Sequence, residues 1–313
     1  MRPFDASLVA ELSLEVVGRR REVEQVVAAL AAGRHLLLEG PPGTGKSTLL
    51  RAVAQASGRE FELVEGTAEL TPSRLIGAFD PSAVLESGYQ PDLFVDGPLT
   101  TALRTGGLLY VEEINRVPDE TLNVLITVMS EGELHIPRVG RVAAEPGFRL
   151  VAAMNPFDAV GTARISGAVY DRCCRLTMGY QSPDDEAMIV GRAAPEAAAA
   201  LGAGVVLQVV GMVRATREHR DLRSGSSVRG AIDVVLLLAE LAQLRGRDPL
   251  DAEVSLDASM MAMSGRVRVR EGSGRSAEDV VTELWQAWLG PAEDGGARDT
   301  TAGGSAGDAE GKA

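Results

Sequence analysis

Lys46 is one of two lysines in a chain of 313 residues that otherwise uses Arg as its cation, the second being Lys312 near the C-terminus. It lies in the run Gly40-Pro41-Pro42-Gly43-Thr44-Gly45-Lys46-Ser47, which fits the phosphate-binding pattern G-x-x-x-x-G-K-[ST] and is followed by Thr48. Arg presents a planar fork, whereas a lysine ammonium is a compact point charge on a thin stem that can slip between β- and γ-phosphate oxygens. Backbone N–H groups of Gly43 to Lys46 would wrap a β-phosphate, and the Ser47 hydroxyl would reach Mg²⁺. The chemistry implied is the binding of a nucleotide.

A second group of residues completes such a site. Leu108-Leu109-Tyr110-Val111-Glu112-Glu113 is an apolar run ending in two carboxylates. In an open parallel sheet, ligands sit beyond the carboxyl ends of the strands, and successive side chains point to opposite sides. Glu112 is therefore expected in the Mg²⁺ shell, and Glu113 as the group that orients and polarises an attacking water. Asn155 ends the run Leu150-Val151-Ala152-Ala153-Met154, where a neutral amide could reach the γ-phosphate and the water. Arg172, in Asp171-Arg172, is either a surface cation or a finger reaching a neighbouring subunit's nucleotide, a role that needs a ring. Arg229 opens a long apolar helix. A cation there opposes the helix dipole unless an anion such as a γ-phosphate lies near.

The elements that must position these groups are legible as apolar runs. Strands are expected at His35 to Glu39, Phe61 to Glu65, Leu108 to Val111, Arg149 to Met154 and Cys173 to Met178, alternating with amphipathic segments such as Thr48 to Ala56. That is the pattern of an α/β domain with a mostly parallel sheet. After Tyr180 strands are expected to stop. Ser182-Pro183-Asp184-Asp185-Glu186 has a cap, a proline at the first helical position and carboxylates in the first turn. Helices then follow at Asp184 to Ala193, Val205 to Thr216, Ser227 to Leu244, Asp251 to Met263 and Ala277 to Leu289. The expected division is residues 1–180 as an α/β nucleotide-binding core, 181–290 as a smaller all-α lid domain and 291–313 as a disordered tail rich in Gly, Ala, Ser, Thr and acids.

Composition narrows the class. A net charge of −13 argues against a nucleic-acid surface, because such binders need a basic stripe to displace counterions. Cys173 and Cys174 are adjacent, which suits neither an ordinary disulfide nor a metal site. The opening residues carry no charged-then-apolar leader pattern, and apolar runs such as Val234 to Leu238 are too short to span a bilayer. No membrane insertion and a cytoplasmic location are expected.

Taken together, the motifs resemble the AAA+ ATPase superfamily and, within it, the MoxR family, from Val16-Val17-Gly18 to about Leu289. The resemblance rests on GPPGTGKS, LLYVEEINR from Leu108 to Arg116, AAMNP from Ala152 to Pro156, YDR from Tyr170 to Arg172 and SGSSVRGA from Ser224 to Ala231. By that likeness they are Walker A, Walker B, sensor 1, the arginine-finger region and sensor 2. Glu113, Asn155, Arg172 and Arg229 take their roles from these motifs, with Arg164 and Arg175 as alternative fingers. One departure is that Glu112-Glu113 stands where the family usually has Asp-Glu, which changes the metal-side arm by a methylene.

The resemblance implies a Mg²⁺-dependent ATPase acting as a ring, most often hexameric, that remodels or matures a client protein complex. It also implies a partner carrying a von Willebrand factor A domain. Segments Gly77 to Gly97, with Phe79, Tyr89 and Phe94, and Glu133 to Gly147, with a hairpin turn at Val139-Gly140, resemble the family's helix-2 insert and pre-sensor hairpin and are expected to line a pore. Two rival readings stand beside this one: a helicase- or loader-like ATPase acting on nucleic acid, and a nucleotide-dependent binding switch with little hydrolysis.

Overall fold

The computed structural model describes residues 2–156 and 165–291. Two compact units emerge, one within Met1–Pro195 plus Ser227–Ile232, the other within Glu196–Ser226 plus Asp233–Ala313. The helix Pro183–Ala193 groups with the first unit, beyond the boundary at 180 that the sequence suggests.

The strands in chain order are β1 (His35–Glu39), β2 (Phe61–Glu65), β3 (Gly77–Phe79), β4 (Phe94–Asp96), β5 (Leu108–Glu112), β6 (Glu133–Ile136), β7 (Gly140–Ala143), β8 (Arg149–Met154) and β9 (Cys173–Thr177) in the first unit. A five-stranded sheet in the order β2-β5-β8-β1-β9 forms its centre, with every pairing parallel. Alternation sends neighbouring residues to opposite faces. Leu37, Leu109, Val111, Leu150 and Ala152 enter one apolar cluster with the helices Pro98–Thr105 and Asp119–Glu131. Leu36, Leu38, Leu108, Tyr110, Val151 and Ala153 enter the other with the helices Ala6–Glu15, Arg20–Ala31 and Lys46–Ser57. Burial on both faces is why these strands read as continuous apolar runs rather than as alternating ones.

The two insertions are small antiparallel pairs. In the first, β3 pairs with β4, and Phe79 packs edge-on against both Tyr89 and Phe94 with ring centroids 5.2 Å apart in each case. In the second, β6 pairs with β7, with Ile136 opposite Gly140. This places the turn at Pro137-Arg138-Val139, one step before the expected Val139-Gly140, because Gly140 is already in the ladder and Arg138 takes the left-handed conformation at φ +69°. The Arg138 guanidinium stacks 3.7 Å from the Tyr89 ring centroid, so the insertions touch each other.

The second unit is built from the helices Ala203–Glu218, Ala252–Met263 and Ala277–Trp288, with the body of Val228–Arg245. Gly211 lies under Trp288, where a Cβ would fall 2.1 Å from the ring. Ser276 and Asp279 form a capping box at the last helix. The expectation that strands stop after Tyr180 is corrected here. β10 (Leu222–Ser224) and β11 (Arg268–Val269) form an antiparallel pair. They are too short for alternation to show, and their partners lie far apart in the chain. The short helix Pro195–Leu201 was also not foreseen. The expected tail lies outside the described residues, apart from Pro291.

Candidate nucleotide site

The phosphate loop runs from the end of β1 into the helix Lys46–Ser57. Its root is fixed by the Gly40 N–H, which donates to the Met154 carbonyl at 3.2 Å and so ties β1 to the last residue of β8. Gly43 and Gly45 have φ of +75° and +85°, the left-handed region that a side chain would strain. The turn they make aims the helix start back over β1. Gly58 ends the helix in the same region, its N–H donating to the Ala54 carbonyl. Thr44 Oγ1 donates to the Pro41 carbonyl at 3.0 Å.

Lys46 is only 8 % exposed, and its Nζ donates to the Gly40 and Pro41 carbonyls at 2.8 and 3.0 Å. Burial pushes its pKa down, while Glu113 and then Glu112 pull it back up. The cation is held at the mouth of its own loop by carbonyl dipoles, within the field of Glu112 at the end of β5 and of Glu113 just beyond it. Ser47 Oγ donates to Glu112 Oε1 at 2.9 Å and lies 3.4 Å from the Tyr110 hydroxyl. Burial drives the Tyr110 pKa far above its usual value, so it stays a phenol.

Glu113 follows β5 with φ +51° and ψ +44°, one of two non-glycine residues with positive φ among the described residues. Left-handed backbone at a long side chain costs about 1–2 kcal/mol and persists only where the surroundings impose it. Here the surroundings are Gly66, whose N–H donates to the Glu112 carbonyl at 2.7 Å and whose missing Cβ would lie 2.3 Å from the Glu113 carbonyl oxygen. Arg116 Nε stands 3.6 Å from Glu113 Oε2. Asn155 comes directly after Met154, whose carbonyl holds Gly40, so it sits beside the loop's root, half-buried.

A cavity of about 370 Å³ opens over the loop, lined by Gly43, Gly45, Thr48, Gln181 and Arg229. Arg229 is thus brought to the phosphate loop. Ser227 comes so close that a Cβ on Gly43 would lie 2.4 Å from its hydroxyl. Arg19, which also lines the cavity, escaped the sequence reading. It is 3 % exposed, donates from Nη2 to the Thr44 carbonyl at 2.9 Å and to the Gly179 carbonyl, and pairs through Nη1 with Glu22. Within Arg19-Arg20-Arg21 it looks like part of a solvated basic run, and its place directly after Val16-Val17-Gly18 is the one signal available.

The finger candidates lie elsewhere. Arg172 ends the helix Gly167–Arg172, donating to Ser130 Oγ and to the Ala168 carbonyl. Arg175 on β9 binds Glu39. Arg164 lies outside the described residues.

The fold and the loop at the end of β1 are those of a P-loop nucleoside triphosphatase built on a parallel sheet. A family model for the AAA domain of the dynein-related subfamily matches residues 35–173. The gas vesicle ATPase GvpN2 of Halobacterium salinarum is 30 % identical over 299 residues, spanning 90 % of this chain and 83 % of that protein. The chaperone MoxR1 of Mycobacterium tuberculosis is 28 % identical over 271 residues, spanning 77 % and 69 %. Among solved structures, a candidate ATPase from Cytophaga hutchinsonii shares the fold at 20 % identity and a TM-score of 0.51, covering 90 % of this chain and 92 % of that one. The chain belongs to the MoxR family of AAA+ ATPases. Among the described residues no single helix is long and apolar enough to cross a membrane.

Proposed function

We propose that this ATPase works as a Mg²⁺-dependent ring, hexameric in its working form, that converts hydrolysis into remodelling or maturation of a client protein complex. The observation that carries the hydrolytic part is the 2.9 Å contact between Ser47 and Glu112 beside a buried Lys46, with Glu113 turned out of the strand next to them. A hydroxyl and a carboxylate this close are the hard oxygen donors that Mg²⁺ prefers, and they would hold it, directly or through water. When bound, the metal would supply positive charge at the β- and γ-phosphate oxygens.

The chain's own residues then have separate tasks. Lys46 exchanges its carbonyl partners for phosphate oxygens, a favourable trade because an anion meets a desolvated cation. The Glu113 carboxylate accepts a hydrogen bond from the attacking water and draws off its proton as the bond to the γ-phosphorus forms and the bond to the β–γ bridging oxygen breaks, its electron pair leaving with ADP. Asn155 holds the same water or the γ-phosphate from the β8 side. Arg229 neutralises charge on the γ-phosphate, and Arg172 does so from a neighbouring copy.

In this reading the Glu112-Glu113 pair does not make the protein a silent switch. The longer arm of Glu112 reaches Ser47, which supports a metal-side role for the two residues. The negative charge of the chain weighs against a nucleic-acid motor. MoxR1 is named a chaperone, and GvpN2 a gas vesicle ATPase. Both names fit ATP-driven work on a protein assembly. A von Willebrand factor A domain protein as partner and the cytoplasm as location belong to the same proposal and rest on the resemblance of the motifs alone. Steady-state ATP hydrolysis tests the proposal. Glu113→Gln should bind ATP and lose turnover, and Arg172→Ala should lose turnover. Retained turnover in the first removes the assigned base, and retained turnover in the second removes the shared site. Client and partner should co-purify with Glu113→Gln in ATP.

A further inference from the structure

Glu39 is the last residue of β1 and immediately precedes the phosphate loop. It is an acid that follows three buried leucines on its strand, and it is 1 % exposed. Its partners do not come from the loop. Oε1 accepts from the Tyr170 hydroxyl at 3.0 Å, and Oε2 accepts from Arg175 Nε at 2.6 Å. Arg175 Nη2 also reaches Oε2 at 2.5 Å. Tyr170 is two residues before Arg172 in the helix Gly167–Arg172, and Arg175 lies on β9, which continues from that helix.

The backbone reinforces this convergence. Glu39 lies opposite Thr177 in the β1–β9 register, and its carbonyl accepts from the Met178 N–H at 2.7 Å. The next residue, Gly40, receives the Lys46 ammonium on its carbonyl, and a Cβ there would lie 2.1 Å from the Met178 carbonyl. One hydrogen bond and one peptide bond therefore separate Lys46, through Gly40, from a carboxylate that grips both sides of Arg172. A buried carboxylate keeps such partners in place, because releasing either one leaves its own desolvated oxygens short of a donor.

We propose that Glu39 is a positioning residue, fastening the segment that carries Arg172 to the phosphate loop of its own subunit so that the finger offered to a neighbour is set by the root of the nucleotide site. This rests on the reading of a ring with shared sites. Tyr170 and Arg175 act here as the two straps, and Arg175 is taken up within its own subunit rather than serving as a finger.

A mixed-ring experiment reads this action directly. The carrier subunit is Glu113→Gln, which cannot hydrolyse, and it is mixed with wild-type chains either as such or with Glu39→Gln added. The doubly substituted carrier should lower wild-type turnover by a further 3-fold or more, while its own ATP dissociation constant, measured with a fluorescent ATP analogue, changes less than 2-fold. In homogeneous rings Tyr170→Phe removes only a hydroxyl from a half-exposed ring. It should lower kcat severalfold with KM unchanged and the melting temperature preserved, so the outcome does not depend on how well Glu39→Gln folds. Wild-type turnover unaffected by the added substitution, together with normal kcat in Tyr170→Phe, overturns the proposal where Arg172→Ala is inactive. A fully active Arg172→Ala overturns the shared site itself and this proposal with it.

Discussion

Ser47 Oγ donates to Glu112 Oε1 across 2.9 Å, joining the residue after the phosphate-loop lysine to the last residue of β5. Two segments far apart in the chain meet there because β1 and β5 both flank β8 in the sheet.

Removing the carboxylate should show in the metal dependence. Glu112→Ala is expected to raise the Mg²⁺ concentration for half-maximal ATPase activity by roughly 10–100-fold. Glu112→Asp should stay within about 3-fold, since Mg²⁺ readily keeps a bridging water. An unchanged Mg²⁺ titration in Glu112→Ala would take this residue out of the metal's surroundings.

Glu113 should trade stability for activity. Its φ of +51° is one that glycine adopts freely. Glu113→Gly is expected to lose turnover by about 10²–10⁴-fold while gaining up to ~1 kcal/mol in urea unfolding, the relief of strain being partly offset by greater chain entropy. A Glu113→Gly protein less stable than the parent by 1 kcal/mol or more would show that the backbone here is not strained.

Lys46 is a desolvated cation held by carbonyl oxygens. Lys46→Met keeps the volume and removes the charge, so the melting temperature should hold or rise. Nucleotide affinity should fall by roughly 10–100-fold, the worth of one or two charge-assisted hydrogen bonds. Unaltered affinity for ATP would contradict the assignment of the loop.

His35 supplies a pH dependence. Its Nδ1 accepts from the Leu150 N–H at 2.9 Å, and burial first, then Arg149, pushes its pKa down from 6.5 to about 4. The unfolded chain protonates on passing pH 6.5 and the folded one only near pH 4, so the unfolded state binds more protons between them. Stability from this group is whole above pH 6.5 and falls with pH down to 4, by at most ~3 kcal/mol. Thermal melts at pH 7.5 and 5 should show a smaller loss in His35→Gln than in the parent, and an equal loss would assign the acid sensitivity to other groups.

Arg138 over Tyr89 links the two insertions. A double-mutant cycle of Arg138→Ala and Tyr89→Ala is expected to give a coupling of about 0.5–1 kcal/mol in unfolding, the usual range for an exposed cation–π pair. Additive effects would mean that this contact does not couple the two insertions.

Much of the site was legible because it is local. The glycines, Lys46 and Ser47 form one contiguous motif whose spacing fits the phosphate-binding pattern. Glu112 and Glu113 follow an apolar run whose end is their address. The central strands were equally plain, since residues buried on both faces leave little room for polar ones. Arg19 was not legible, because a buried arginine amid two others has no local mark. Its role depends on the Thr44 and Gly179 carbonyls, which the chain brings in from distant positions. The pair β10 and β11 escaped for the same reason, as did the turn at Arg138, where pairing register overrode the preference for glycine.

By itself the sequence determined the phosphate loop, the order of strands and helices along the chain, and the two carboxylates at the end of β5, since each depends on neighbours within a few residues. Tertiary structure alone decided that Ser47 meets Glu112, that Glu113 takes a left-handed turn packed against Gly66, and that Glu39 is taken by Tyr170 and Arg175. These arise from the lateral order of the parallel strands. Lateral order is set by how both faces of the sheet are covered, a property of the whole core that no single segment encodes.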